Sequence, residues 1–257
     1  MAELGRLSAL CEAFAAYGCH PVLGSEIECS VVLGENVPTQ SDADMFWKPL
    51  RDHWVARGIP LLRIEKERGD HQFEVVLLPT NVQEQLTHLA QVKHEIAHAA
   101  RTGNRPVFFT AKPFADAPAN GLHLHVHLEN AQGQNLFHKT EDGMSDYLRF
   151  ALGGLCAGAS DLLAAATLND GQKHRFFDVD HVPRCLGWGV NNRYAAFRIP
   201  AYEDPYHKWI ETRLFSAEAD PVEATTLILE SILHGLNHRL EPPAQEFGKP
   251  KNGLFEA

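Results

Sequence analysis

The sequence predicts a single α+β domain over residues 1–257, an antiparallel sheet backed by helices. Three observations carry this. Short segments alternate apolar and polar residues with a period of two, and longer segments repeat apolar residues at helical spacing. The two kinds interleave along the chain with no internal repeat and no low-complexity linker. A chain of 257 residues also buries enough surface to fold without staples.

The elements follow in order. Leu4, Leu7, Leu10, Cys11 and Phe14 share one helical face over residues 4–17. From Pro21 to Leu33 the pattern is that of a strand, and a loop to Gln40 leads to Ser41, the expected N-cap, with Asp44 three residues on, of a helix to Arg57. Segments 60–66 and 72–78 read as strands joined by a turn at Arg68-Gly69-Asp70. A helix runs from Asn81 to about Arg101 and ends at Gly103. Strands at 106–112 and 121–129 flank a Pro- and Ala-rich loop, and Asn130–Gln134 is a turn. Residues 145–168 read as one buried helix, and the Asp- and His-rich stretch 169–183 as a loop. Strands at about 186–199 and 207–215 precede a helix over 221–239, where Pro221 suits the first turn; a Pro-rich tail closes the chain.

The net charge of -10 opposes binding to phosphate backbones, so nucleic acid is not an expected partner. Five scattered cysteines without a Cys-x-x-Cys pair suggest neither a disulfide framework nor a thiolate zinc site, which fits a reducing cytoplasm. Charged residues interrupt the apolar N-terminus and no stretch reaches 18 apolar residues, so neither export nor membrane insertion is expected. The 15 histidines are the compositional outlier.

Charged, imidazole or amide side chains, most of them able to ligate a cation, recur two residues apart in four of the strands, which places them on one face of a pleated sheet. Glu26 and Glu28 flank Ile27, and Gln72 and Glu74 flank Phe73. His123, His125 and His127 alternate with leucine and valine, as Glu211 and Arg213 do with Ile210, Thr212 and Leu214. One such strand reads as an ordinary solvated face. Four together concentrate carboxylates that repel one another unless hard divalent ions such as Mg²⁺ or Mn²⁺ intervene. Arg175, Arg193, Arg198 and Arg213 supply the forked donors that phosphoryl transfer uses. A competing motif, His94-Glu95-Ile96-Ala97-His98, has the zinc-hydrolase pattern on a helix.

Five segments in order carry a resemblance: Glu26-Ile27-Glu28, Glu67 to Glu74 (ERGDHQFE), Ala111-Lys112-Pro113-Phe114 with Gly121 to His125 (GLHLH), Asn192 to Pro200 (NRYAAFRIP) and Ile210-Glu211-Thr212-Arg213. Over about residues 22–240 the chain resembles the glutamine synthetase family. The resemblance implies a curved antiparallel sheet of glutamine synthetase catalytic-domain type and two or more divalent ions, Mg²⁺ or Mn²⁺. One ion would be held by Glu28, Glu67 and Glu74, the other by Glu26, His123 and Glu211. It further implies ATP contacts at His125, Arg198 and His127, Arg193 at the transferred phosphoryl group, and substrate contacts at Arg175, Arg213, Asn120 and Gly121. The implied reaction joins a carboxylate to an amine through an acyl phosphate.

Three departures from the family pattern bear on the acceptor. Only about 20 residues precede Glu26, so the family's N-terminal domain and its ammonium-site Asp have no counterpart. The flap Glu becomes His181, a candidate base, and the Asn-Gly-Ser-Gly loop reads Pro118-Ala119-Asn120-Gly121. The expected enzyme is an ATP-dependent amide ligase with an altered ammonia or glutamate site, acting as a homo-oligomer or with a separate partner subunit. The alternatives are a non-catalytic nucleotide- or amino-acid-binding homologue, one component of a two-chain ligase, or an ATP-dependent phosphotransferase.

Overall fold

The computed structural model describes residues 2–34, 36–138, 143–177, 182–201 and 208–255. Eight strands form one sheet: β1 (His20–Val31), β2 (Leu61–Lys66), β3 (Gln72–Asn81), β4 (Val107–Phe108), β5 (Gly121–Glu129), β6 (Cys185–Val190), β7 (Ala195–Ile199) and β8 (Ile210–Ser216). Their spatial order is β2-β3-β1-β5-β8-β7-β6, with β4 paired to the end of β1. The helices are α1 (Ala2–Ala13), α2 (Gln40–Ala56), α3 (Val82–Thr102), α4 (Asp146–Ala157), α5 (Ala159–Ala166), α6 (Asp170–His174) and α7 (Pro221–His238).

One sheet face is largely apolar because alternation leaves few polar side chains on it, Ser25 and Thr212 among them. Ile27, Phe73, Val75, Leu122, Leu124, Phe197, Ile210 and Leu214 are fully buried there in one core with Leu89 and Ile96 of α3, Leu152 of α4 and Ile228 of α7. Helices α4 and α7 cross so closely that a Cβ on Gly154 would lie 2.0 Å from the Ser231 carbonyl oxygen, and one on Gly235 would lie 2.1 Å from that of Phe150. Only glycine fits either position. Pro221 stands in the first turn of α7, where Asp220 caps Val222 and Glu223 and no proline N–H is needed.

Several expectations are corrected. The sheet is mixed rather than purely antiparallel, because β6 and β7 run parallel. The single strand expected at 186–199 is two, separated where Asn191 turns to a φ of 52°. The strand expected at 106–112 shrinks to β4: β5 pairs β1 only as far as Ile27, leaving little more than Ser30 and Val31 as free edge. The long helix expected at 145–168 breaks at Gly158 into α4 and α5, which meet at 59°. Within the expected loop, Asn169 and Gln172 form a capping box that starts α6. Thr39, paired with Asp42, caps α2 in place of Ser41.

A β-bulge shapes the sheet's β2 end. Leu61 pairs with Leu77 but Arg63 pairs with Val76, so β2 spends one extra residue, Leu62. That insertion lets Leu61 and Ile64 both pack against the core, while Arg63 and Glu65 alternate with Ile64 onto the opposite, charged face.

Candidate active site

The strand register builds the charged face row by row. Glu28 of β1 stands opposite Glu74 of β3, and Glu26 stands opposite His123 of β5. His125 stands opposite Glu211 of β8, which in turn faces Arg198 of β7. One pocket collects Glu26, Glu28, Glu67, Glu74, His123, Glu211, Arg175, Arg193, Arg198 and Arg213, side chains from segments that lie far apart in the chain. Its described lining holds six glutamates and six arginines, so acidic and basic charge balance in number and only their arrangement distinguishes its two sides.

Other expected residues sit around that pocket. His125 stacks on Trp209 with ring centroids 5.3 Å apart, and its Nε2 lies 3.4 Å from Glu26 Oε1. His127 is one pleat further along, its Nε2 2.8 Å from Glu129 Oε1. Asn120 is fully buried: its amide donates to the Phe108 and Thr110 carbonyls, and its oxygen accepts from Ser30 and Gln72. The Gly121 N–H donates to Glu28 Oε2 at 2.8 Å. His181 lies outside the described residues.

Sequence reasoning missed Arg63 and Glu65, although Arg63-Ile64-Glu65 shows the same alternation as the other four strands. Gln72, read from the sequence as a possible cation ligand, is engaged in hydrogen bonds instead. The Gln72 amide donates to Glu28 Oε2 at 3.1 Å and to the Ala119 carbonyl at 2.9 Å, while its oxygen accepts from the Gly69 N–H. One neutral side chain thus ties the β2–β3 turn and the strand approaching Gly121 to a carboxylate.

The two sides differ in electrostatics. Burial, reinforced by Glu26, Glu28 and Glu67, pushes the Glu74 carboxyl up to about 9. Burial likewise raises Glu28 to about 7 against the opposing Gly121 hydrogen bond. Glu26 also suffers burial, but His125, His123 and Arg213 together outweigh it and hold this carboxyl well below the usual range. Burial lowers His123 to about 4, with Arg213 adding to the effect. For Glu211, burial is overcome chiefly by Arg213, which it contacts directly, and Arg198 donates to its other oxygen at 2.6 Å. The Arg175 guanidinium donates to the Leu214 and Arg213 carbonyls at 2.8 and 3.0 Å.

The donor set fits hard divalent cations. Carboxylate and imidazole ligand atoms lie within 4.8 Å of one another in two groups, Glu26–Glu74–His123 and Glu26–His125–Glu211. Glu26 is common to both, a partition different from the one the resemblance implies. The buried His125 Nε2 has no hydrogen-bond partner among the described residues. On α3, by contrast, Glu95 accepts from Trp54 Nε1 at 2.6 Å and from Gln91 at 2.9 Å. His94 and His98 are exposed, and neither joins a three-ligand group among the described residues.

A mixed sheet backed by helices, whose polar face gathers carboxylates, imidazoles and arginines, defines an α+β fold with a pocket of candidate cation ligands. Residues 32–251 match the family model described as the glutamine synthetase catalytic domain, and the chain belongs to that family. It is 32% identical over 181 residues to the γ-glutamylputrescine synthetase PuuA of Escherichia coli (strain K12), covering 70% of this chain and 38% of the relative. It is 29% identical over 179 residues to a glutamine synthetase of Pyrococcus abyssi (strain GE5 / Orsay), covering 70% of this chain and 40% of the relative. The chain thus spans well under half the length of these curated relatives. A cryo-EM structure of Plasmodium falciparum glutamine synthetase superposes with a TM-score of 0.87 at 17% identity, covering 96% of this chain and 57% of that one. No single described helix is long and apolar enough to cross a membrane.

Proposed function

We propose that this chain carries the phosphoryl-transfer site of an ATP-dependent carboxylate–amine ligase with an acceptor other than ammonia, or a different acid. The observation that carries the reading is the convergence of six glutamates, six arginines and His123 in one pocket on the sheet's polar face, with His125 beside them. A carboxylate oxygen attacks the γ-phosphorus of ATP, the bond to ADP breaks, and an acyl phosphate forms. The amine then attacks the acyl carbon, phosphate leaves with the C–O bond electrons, and the nitrogen loses a proton to give the amide.

Glu26, Glu74, His123, His125 and Glu211, with Glu28 and Glu67 alongside, would hold divalent cations, which would supply charge neutralisation at the phosphates. Arg193, exposed on the turn between β6 and β7, reaches the transferred phosphoryl group, and Arg198 with His125 and His127 orients the nucleotide. Arg213 and Arg175 face the acid substrate, their guanidiniums fixed in advance by Glu211 and by backbone carbonyls, so little reorganisation is needed as charge develops. Gly121 leaves room beside Arg175: a Cβ there would lie 3.3 Å from its Nη2. His181 serves as the base for the attacking amine, and a second copy or a separate chain encloses the acceptor side.

ADP release with Mg²⁺ across a panel of acids and amines tests this. Turnover that needs both an acid and an organic amine supports it. Fastest turnover with glutamate and ammonia overturns the altered acceptor, and ATP binding without any turnover across the panel favours the non-catalytic homologue.

A further inference from the structure

Two of the pocket's arginines lie at its acidic end, Arg63 on β2 and Arg68 on the turn between β2 and β3, and Arg63 reaches the ligand carboxylates. Arg175, Arg193, Arg198 and Arg213 come from β8, β7 and the segments beside them, whereas Arg63 comes from β2, at the acidic end of the sheet. Its Nη2 is 3.4 Å from Glu74 Oε1 and 3.8 Å from Glu26 Oε1, while its Nε is 2.9 Å from Glu65 Oε2. Glu26 and Glu74 are the two carboxylates of the ligand group completed by His123. The guanidinium therefore neutralises the oxygens that a divalent ion at this group would use.

We propose that Arg63 is a built-in counter-cation that a divalent ion must displace from Glu26 and Glu74, so that the chain itself weakens one of its two cation sites. The position is not accidental to the backbone. Arg63 stands opposite Val76 and alternates with Ile64, which puts it on the face that carries Glu74, while the bulge at Leu62 lets Leu61 pack on the core as well. The side chain can also leave. It is 38% exposed, and Glu65, itself 52% exposed, keeps hold of Nε at the pocket rim. A dication would take both carboxylates while the guanidinium pivots on Glu65 toward solvent; the two cations cannot share the site, because like charges a few ångströms apart repel strongly even in a polar environment. In the metal-free protein the same contact offsets part of the repulsion between Glu26 and Glu74.

The inference rests on the reading of the acidic face as a cation site, and direct binding separates the two. Mn²⁺ is titrated into the full chain, with free ion counted by its paramagnetic resonance signal, for the natural protein and for Arg63→Gln and Arg63→Lys. Arg63→Gln is expected to tighten the weaker Mn²⁺ site about tenfold, as expected for removing one positive charge close to a dication. Arg63→Lys is expected to stay near the natural value. Unchanged or weaker binding in a folded Arg63→Gln protein overturns the proposal and leaves the cation site standing; no Mn²⁺ binding by the natural protein overturns both. Should Arg63→Gln fail to fold, modification of the natural protein by phenylglyoxal decides, read by mass spectrometry at the Arg63 peptide. Mn²⁺ is expected to speed modification as the guanidinium swings outward, and an equal or slower rate with Mn²⁺ overturns the proposal.

Discussion

The two sides of the pocket reach charge balance by different routes. On the β7 and β8 side every charge has its partner in place: Glu211 joins Arg198 and Arg213, and Arg175 is held by two backbone carbonyls. On the β1 and β3 side Glu28 and Glu74 face each other across paired strands, and their carboxyls rise instead of pairing fully. The first side is preorganised as it stands, whereas the second is arranged around charge that the chain supplies only in part, through Arg63. Within one ligand group the two carboxylates therefore differ, Glu74 raised by burial and its acidic neighbours and Glu26 lowered by His125, His123 and Arg213.

The largest break in this comparison should come from Glu26→Ala. Glu26 belongs to both ligand groups, so its loss compromises both cations. With about 10² lost per stabilising charge, ligase turnover should fall on the order of 10⁴-fold, and stoichiometric Mn²⁺ binding should vanish. Near-normal turnover would end the idea that the acidic side works through cations.

Arg193→Ala tests the other side. Turnover should fall about 10³-fold with a smaller change in the KM for ATP, because the guanidinium acts on charge that develops during transfer. A rise in KM alone would make Arg193 a ground-state contact.

The pH dependence of stability distinguishes the sides without any assay of activity. Glu28 and Glu74 have folded values, about 7 and about 9, above the unfolded value near 4.5. The folded protein therefore holds extra protons between those limits, and their contribution is present below pH 4.5 and lost as pH rises toward 9. His123 acts in the opposite sense only below about 6.5, because its folded value is about 4. In EDTA, Tm should fall from pH 6.5 to 9, and Mn²⁺ should remove that slope. A flat EDTA profile would mean that the two carboxyls are satisfied within the chain.

Asn120→Ala gives the smallest effect. The side chain braces Ser30, Gln72 and the carbonyls near β4 beneath the acidic side, and cutting it leaves buried polar groups unpaired. A loss of about 1–3 kcal/mol in stability is expected by denaturant titration, with Mn²⁺ affinity weakened as Glu28 loses its support. Normal stability with a raised KM for the acid would instead make Asn120 a direct substrate contact.

Much of this molecule is written in local pattern. Glu26, Glu74, His123 and Glu211 are legible because a strand's period of two is insensitive to what lies beside it, and an apolar partner at every other position fixes which face they share. The same reasoning identifies α3 and the Pro221 end of α7, where the signals lie within a few residues of one another. Arg63 shares its face with Glu65 by the same alternation, but that it meets Glu26 and Glu74 depends on how β2 pairs with β3. The zinc-hydrolase motif on α3 failed for the same reason: a pentapeptide specifies its own spacing but not its neighbours, and Trp54 and Gln91 had already claimed Glu95. The parallel course of β6 beside β7, the break at Gly158 and the sharing of Glu26 between two ligand groups likewise arise from contacts between distant segments. Sequence alone determined which side chains turn their backs on the core. Only the tertiary structure decided which of them meet, because register, bulges and closeness of approach are set by both partners of a contact.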